Sequence, residues 1–570
     1  MKRRTVWLLV GAVAATAVAA AGVGAVVLAL KFRGTTISAV GEKRYLVLHL
    51  EGEIPEEPAS DLDALFGTPR ASLPGIVEGL ERARVDDGIS SAVLKIDTLS
   101  GTGWAKVQEI RAAVARLREK KPVYAYLRDA GNKEYYLASA ATKVYCQPAA
   151  MLAVTGLATQ VTFFRQTLDK LGVEAQFEGF GKYKNAPNTY TESGFTPPHR
   201  EQMEALLDDL STQFIEGIAK SRGRAPQQIQ AAVDQAPLDA DAAVKAGLVD
   251  EKIFEDEIEA RAGVSHEVAL ARYVRSQRSL SLGRPKIAVI QVSGEIISGH
   301  SGSDALGGSY AGSETVVKAI RSARRRSDVR AIVLRVDSPG GSGSASEEIW
   351  REVVLAQREK PVIASMSDLA ASGGYYVAMA AQAIVAEPGT LTGSIGVFGG
   401  KLSLRGLYDK IGLTKEELQR GRHAGLFSDY RPWTDEERLA IRQFLWGFYQ
   451  DFVQKAAKGR GRKPEEIEQI AQGRVWTGAA ALSRGLVDRL GGLNDAIALA
   501  KEKAGLARDA EVSILRLPEH RGFFEALFDR ETPAILASAL PADLRALVRW
   551  SRMTQSSPVA ARLPYELQVN

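Results

Sequence analysis

Cysteine is almost absent: Cys146 is the only one in 570 residues, so no intrachain disulfide can form. Its neighbours are apolar and bring no activating group, which fits a small buried hydrophobe better than a nucleophile. Histidine is scarce as well; the six are dispersed and none shows metal-ligand spacing, so neither a metal nor a cofactor is expected. The Gly-Lys-Ser/Thr ending of a phosphate-binding loop is missing after the glycine-rich segments. The formal net charge of +5 is small for this length, and basic runs such as Arg321 to Arg326 carry no interleaved aromatics. They read as solvated helix faces, which excludes a nucleic-acid groove. With 45% hydrophobic and 25% charged residues the composition is that of a globular protein, long enough for two or three cores.

What is present begins at the N-terminus. Met1-Lys2-Arg3-Arg4 precedes an uncharged stretch from Thr5 to Leu30, closed by Lys31 and Arg33. A hydrocarbon core needs roughly 20 apolar residues, whereas the apolar core of a cleaved signal is commonly about 7–15. Residues 1–34 are therefore read as one retained transmembrane helix, in contact with lipid through residues 5–30; the alternative is cleavage near Ala19-Ala20-Ala21. The leading positive charge favours a cytoplasmic N-terminus and places the remaining chain on the extracytoplasmic side.

Past this segment the chain repeats itself. Leu94-Lys95-Ile96-Asp97-Thr98 aligns with Leu334-Arg335-Val336-Asp337-Ser338, Tyr135-Tyr136 with Tyr375-Tyr376, and Gly181 with Gly421, all at an offset of 240 (334 − 94, 375 − 135, 421 − 181). A repeat of this length is a duplicated domain. In each copy apolar strands alternate with amphipathic helices, the pattern of an α/β module whose helices cover a sheet. The expected order is an anchor (1–34), a first domain (42–275), a Ser/Leu/Gly/Pro linker (276–285), a second domain (286–515) and a C-terminal tail (516–570). The tail has helical patterns at Phe523 to Phe528 and Ala542 to Trp550, suited to packing or a lid, and no assigned chemistry.

The chemistry concentrates in the second copy. Asp337-Ser338-Pro339-Gly340-Gly341-Ser342 follows a strand and opens a helix, so its glycines can turn tightly and present amides where an oxyanion would be held. Ser372, in Ala371-Ser372-Gly373-Gly374-Tyr375, stands uncrowded at a strand-to-helix junction, with the Gly373 amide directly behind it. Its counterpart in the first copy is Asn132. Lys184, in Gly181-Lys182-Tyr183-Lys184, has the counterpart Ala424; 372 − 132 and 424 − 184 both equal 240. Each copy has thus kept one half of a nucleophile–base pair. For Lys184 to act as a base it must be neutral, which requires burial. The rival base is His423, one residue before Ala424, with Asp368 as the third member of a triad. The non-catalytic alternative makes Ser372 a helix cap, Lys184 a surface lysine and the protein a membrane scaffold.

The Ser-Pro-Gly-Gly and Ala-Ser-Gly-Gly-Tyr-Tyr motifs, followed by Leu391-Thr392-Gly393-Ser394-Ile395-Gly396-Val397, closely resemble the signal peptide peptidase A (protease IV) family in its long, duplicated form. The resemblance covers roughly residues 1 to 510. It implies a tandem duplication of the spiral α/β domain shared by the Clp protease and the crotonases, and a membrane-bound serine endopeptidase in a bacterial inner membrane. By the same resemblance Ser372 is the nucleophile, Lys184 the base, Gly340, Gly341 and Gly373 the oxyanion-hole residues, and Ser394 a lysine-orienting helper. Remnant signal peptides and other hydrophobic peptides would be the substrates, and the chain would form a homo-oligomer. A crotonase-like acyl-CoA enzyme is the remaining alternative; extracytoplasmic exposure would deny it coenzyme A.

Overall fold

The computed structural model describes residues 44–57, 71–263, 266–276, 283–303, 309–507, 510–518 and 560–562. The proposed anchor, most of the linker and both helical patterns of the tail lie outside these residues. Among the described residues no helix is long and apolar enough to cross a membrane.

Continuous runs of Val, Ile, Leu and Ala build one mainly parallel sheet in each half. In the first half the strand order is Glu251–Lys252, Lys143–Cys146, Val123–Leu127, Ile89–Ile96, Arg44–Leu50 and Glu267–Ala269. In the second it is Val475–Thr477, Leu391–Gly393, Val362–Ala371, Val329–Ser338, Lys286–Ser293 and Ser513–Leu517, with Val475–Thr477 antiparallel and a second branch from Val362–Ala371 through Ala383–Ala386 to Arg489–Leu490. Strand Ser513–Leu517 pairs with Lys286–Ser293 along its whole length. Such strands are apolar on both sides because helices cover both faces of the sheet. Both halves even share an irregularity, a register shift at Arg44/Tyr45 and again at Lys286/Ile287. They also share a buried hydrogen bond, Tyr135 Oη to Leu248 O (2.7 Å) and Tyr375 Oη to Leu486 O (3.0 Å). The tandem α/β duplication read from sequence is present in the fold.

Two features join the halves. Strand Glu174–Phe180 of the first half pairs antiparallel with Val397–Ser403 of the second, although the counterpart segments 157–163 and 414–420 form no strands. Helix Pro197–Arg222 of the first half lies on the second, where Gln202 Oε1 accepts from Val475 N (2.8 Å) and Leu206 packs with Ala371 and Val475. Between the halves Arg335 is wholly buried. It donates to Glu56 (3.0 Å), Glu109 (2.9 Å), Ser365 (2.9 Å) and Ser367 (3.0 Å). Burial would raise the Glu56 pKa, but Arg335 and Lys106 overcome it and hold the carboxyl near 2. A buried arginine is tolerated because every direction of its fork meets an acceptor.

Candidate active site

Ser372 stands between strand Val362–Ala371 and helix Gly373–Ala378 with φ 56° and ψ −113°, a left-handed-side conformation that costs a non-glycine residue about 1–3 kcal/mol. The surroundings hold it there. Its N–H donates to Gly393 O (2.8 Å) and its carbonyl accepts from Tyr376 N (2.8 Å). Gly374 follows closely against the glycine loop, where a Cβ would fall 2.7 Å from Ser338 O. The serine side chain is fully buried.

Lys184 comes from the turn after strand Glu174–Phe180, so the inter-half sheet carries it into the second half. Tyr183 N donates to Gln472 O (2.7 Å), and the lysine backbone passes so close to Gly473 that a Cβ there would lie 2.6 Å away. Its Nζ is 2.7 Å from Ser372 Oγ, 2.9 Å from Ser394 Oγ and 3.0 Å from Ser394 O. No carboxylate is among these partners, and burial pushes the amine's pKa well below that of a free lysine. A neutral amine has two N–H donors and one lone pair. The two Ser394 oxygens can take the donors, leaving the lone pair for the Ser372 hydroxyl. Ser394 is itself held at φ 52°, with its N–H on Arg474 O (2.7 Å).

The glycine loop carries Gly340 at φ 98° and Gly341 at φ 155°, and a Cβ on Gly341 would fall 2.1 Å from Ile296 O. The Gly340 N–H donates to Ser338 Oγ (3.1 Å), a partner that sequence reasoning missed. Strand Gly340–Ser342 also pairs antiparallel with Ala560–Arg562, and Phe398 pairs with Ala560 on the other side. A piece of the tail thus fills a one-strand gap beside the serine loop, which no local sequence signal announced.

His423 is exposed on the loop before Leu426, and the side chain at hydrogen-bond distance from Ser372 Oγ is Lys184. Asp368 does not serve a histidine: its oxygens accept from Gly103 N (3.0 Å) and Lys106 N (2.9 Å), capping helix Trp104–Arg118 of the other half. The Ser-His-Asp grouping is therefore not assembled here. In the first half Asn132 is tied at both ends of its amide to Gly156, at 2.8 and 3.1 Å. Cys146 is buried, and burial pushes its thiol up to about 11.

The model of peptidase family S49 matches this chain twice, over residues 115–269 and 355–507, once in each half. This chain belongs to peptidase family S49. Serine protease SPPA, chloroplastic, of Arabidopsis thaliana is 37% identical over 486 residues, covering 83% of this chain and 71% of that protein. Protease 4 of Salmonella typhi is 32% identical, covering 81% of this chain and 78% of its own. The putative signal peptide peptidase SppA of Enterococcus faecium is 36% identical over 31% of this chain and 52% of its own. The S49 protein described here is accordingly a serine peptidase.

Proposed function

We propose that this S49 peptidase is a membrane-anchored endopeptidase with a Ser372/Lys184 dyad drawn from its two halves, acting on cleaved signal peptides and other hydrophobic peptides. The observation that carries this reading is a buried lysine amine with no counter-charge, 2.7 Å from a strained, buried serine. Neutral Lys184 takes the proton of Ser372 as its oxygen attacks a peptide carbonyl. The Gly373 amide and those of Gly340 or Gly341 then hold the oxyanion, which for Gly340 requires exchanging Ser338 Oγ for the substrate oxygen. The lysine returns the proton to the leaving amine, an acyl-enzyme remains, and the same amine activates water to release it. Ser394 orients Nζ throughout.

The gap between Gly340–Ser342 and Val397–Ser403 supports an extended peptide as substrate, since one strand, Ala560–Arg562, already fits it with main-chain pairing on both sides. The signal-peptide class follows the name borne by the Enterococcus relative, and the anchoring through residues 5–30, with the peptidase outside the cytoplasmic membrane, follows the N-terminal pattern.

We read the oligomer as a head-to-tail repeat of the internal interface. Leu206 is buried against the second half beside Leu391. The counterpart of Leu206 is Phe444 (444 − 206 = 238, as for the two helix starts, 435 − 197), and it is 58% exposed. The counterpart of Leu391 is Met151 (391 − 151 = 240), 54% exposed. Phe444 of one copy on Met151 of the next repeats the contact already made within the chain.

The test is turnover of a hydrophobic signal-peptide substrate by the full-length protein in detergent, compared with Ser372→Ala, Lys184→Ala and His423→Ala. The first two should be inactive and the third active. An active Lys184→Ala beside a dead His423→Ala would overturn the dyad.

A further inference from the structure

The strand that ends on Ser372 and the strand that leads to Gly340 are neighbours, but their ladder lapses just before both. Val336 pairs with Met366 and Ser338 with Ala370, so Asp337 alone faces the three residues 367–369. A bulge of this kind leaves backbone groups without ladder partners. Side chains fill the lapse. Asp337 Oδ1 accepts from Leu369 N (3.2 Å), and Lys106 Nζ of the first half reaches Asp337 (3.0 Å), Asp368 (3.7 Å) and Glu56 (4.0 Å). Asp368 in turn caps the helix that carries Lys106, and a side chain on Gly103 would collide with that carboxylate, its Cβ 2.3 Å from Asp368 Cγ.

The repeat shows why a cation from outside is needed. The first-half counterparts of Asp337 and Asp368 are Asp97 and Arg128 (offset 240: 337 − 97, 368 − 128), which form their own ion pair at 3.7 Å. In the second half the arginine's place is held by an aspartate, so two carboxylates face each other across the bulge. The counterpart of Lys106 is Ser346 (346 − 106 = 240), whose hydroxyl bonds its own helix at Ser342 O (2.8 Å). The clamp therefore exists at this junction and not at its counterpart.

We infer that Lys106 is a positioning residue: besides the base, the first half supplies the cation that fixes the nucleophile strand against the glycine strand. Without it, Asp337 and Asp368 repel, the bulge opens, and the distance between Ser372 Oγ and the oxyanion amides drifts. This rests on the Ser372/Lys184 reading. Lys106 touches no reacting atom, so its loss should lower kcat and leave KM nearly alone.

The experiment measures kcat and KM for Lys106→Met, for Lys106→Met combined with Asp337→Asn, and for Ser372→Ala, each checked for folding by near-ultraviolet circular dichroism. Lys106→Met should lose roughly tenfold to a hundredfold in kcat, the scale of a displacement below about 1 Å, with KM held within about twofold. Asp337→Asn removes one of the opposed charges yet keeps an oxygen for Leu369 N–H, so the double variant should recover most of kcat. Wild-type kcat in Lys106→Met, or a folded Lys106→Met that Asp337→Asn does not rescue, overturns the inference. If Lys106→Met fails to fold, Lys106→Gln replaces it; it keeps a polar head beside Asp337 and removes only the cation, and an unchanged kcat there is equally fatal. Turnover by Ser372→Ala would overturn the dyad itself, whatever Lys106→Met does.

Discussion

Replacing Lys184 by methionine keeps the length and apolar stem of the side chain and removes only the amine. The amine is the proposed base, 2.7 Å from Ser372 Oγ, and positioned bases contribute about 10²–10⁴ to rate, or roughly 3–5.5 kcal/mol of barrier. The kcat/KM of Lys184→Met on a quenched fluorescent hydrophobic peptide should fall by that factor, while KM changes little because Nζ faces the serine and not the groove. Lys184→Arg should be equally poor, since a guanidinium stays protonated up to about pH 12 and offers no lone pair. The wild-type pH profile carries the sign. Only the neutral amine can accept the serine proton, so activity is absent below the lysine's pKa and rises as pH passes upward through it. Burial has moved that pKa well below the free-lysine value, so the rising limb should finish far short of about pH 10.4. A Lys184→Met enzyme within tenfold of wild type, or one that keeps the same rising limb, would refute the assignment of the base.

Ser394→Ala removes one of two acceptors that turn Nζ and leaves Ser394 O in place; kcat should drop about tenfold, the worth of one hydrogen bond at about 1–1.5 kcal/mol, with fluorophosphonate labelling of Ser372 slowed in parallel. Arg335→Met strands two buried carboxylates between the halves, so calorimetry should show a loss of about 3–5 kcal/mol and a Tm lower by roughly 6–20 °C. Phe444→Glu puts a charge on the face read as an interface; sedimentation should show smaller species, while turnover survives because the Lys184–Ser372 contact lies within one chain. A chain lacking residues 556–570 leaves the gap beside Gly340–Ser342 open, and its KM for peptide should fall; an unchanged KM would show that Ala560–Arg562 does not compete with substrate.

That Ser372 and Lys184 lie together could be expected from the sequence because the duplication supplies its own control. At each position the other copy holds a residue that could not play the proposed role, Asn132 in one case and Ala424 in the other. The parallel strands were legible too, since a strand buried on both faces reads as an unbroken apolar run. What the sequence hid are contacts between residues far apart that belong to one half only. Asp368 lies near the serine in sequence, and that proximity suggested a triad; its partners, Gly103 and Lys106, are more than 260 positions away. Arg335 aligned with Lys95 as an ordinary strand residue, yet one is wholly buried and the other is partly exposed and pairs with Glu255 at 2.9 Å. The pairing of Glu174–Phe180 with Val397–Ser403 could not be inferred from the repeat, because the copies of those two segments do not form strands. Local pattern sets the elements; which half lies against which is set by side chains that the repeat does not share.

Splitting the proposed dyad between two halves has a physical consequence that a single-domain site would not. A lysine loses its charge near neutrality only in a place closed to water, and here that closure is made by docking one half on the other. Gln472 and Gly473 of the second half receive the lysine turn, while helix Pro197–Arg222 covers the back of the serine strand at Ala371. When the halves separate, three things are lost together. The lysine regains water and its proton, Ser372 loses its base, and the bulge before it loses the Lys106 clamp. On the proposed dyad, a separated or incompletely folded chain is therefore inert. The same coupling predicts that substitutions at the docking surface, far from any reacting atom, act on the pH limb as well as on stability: wetting Lys184 raises its pKa toward the free value and moves the rising limb to higher pH. Leu206→Ala, which thins the cover over Ala371, is the mildest such change, and a pH profile that stays fixed while its Tm falls would show that burial of the amine does not depend on that contact.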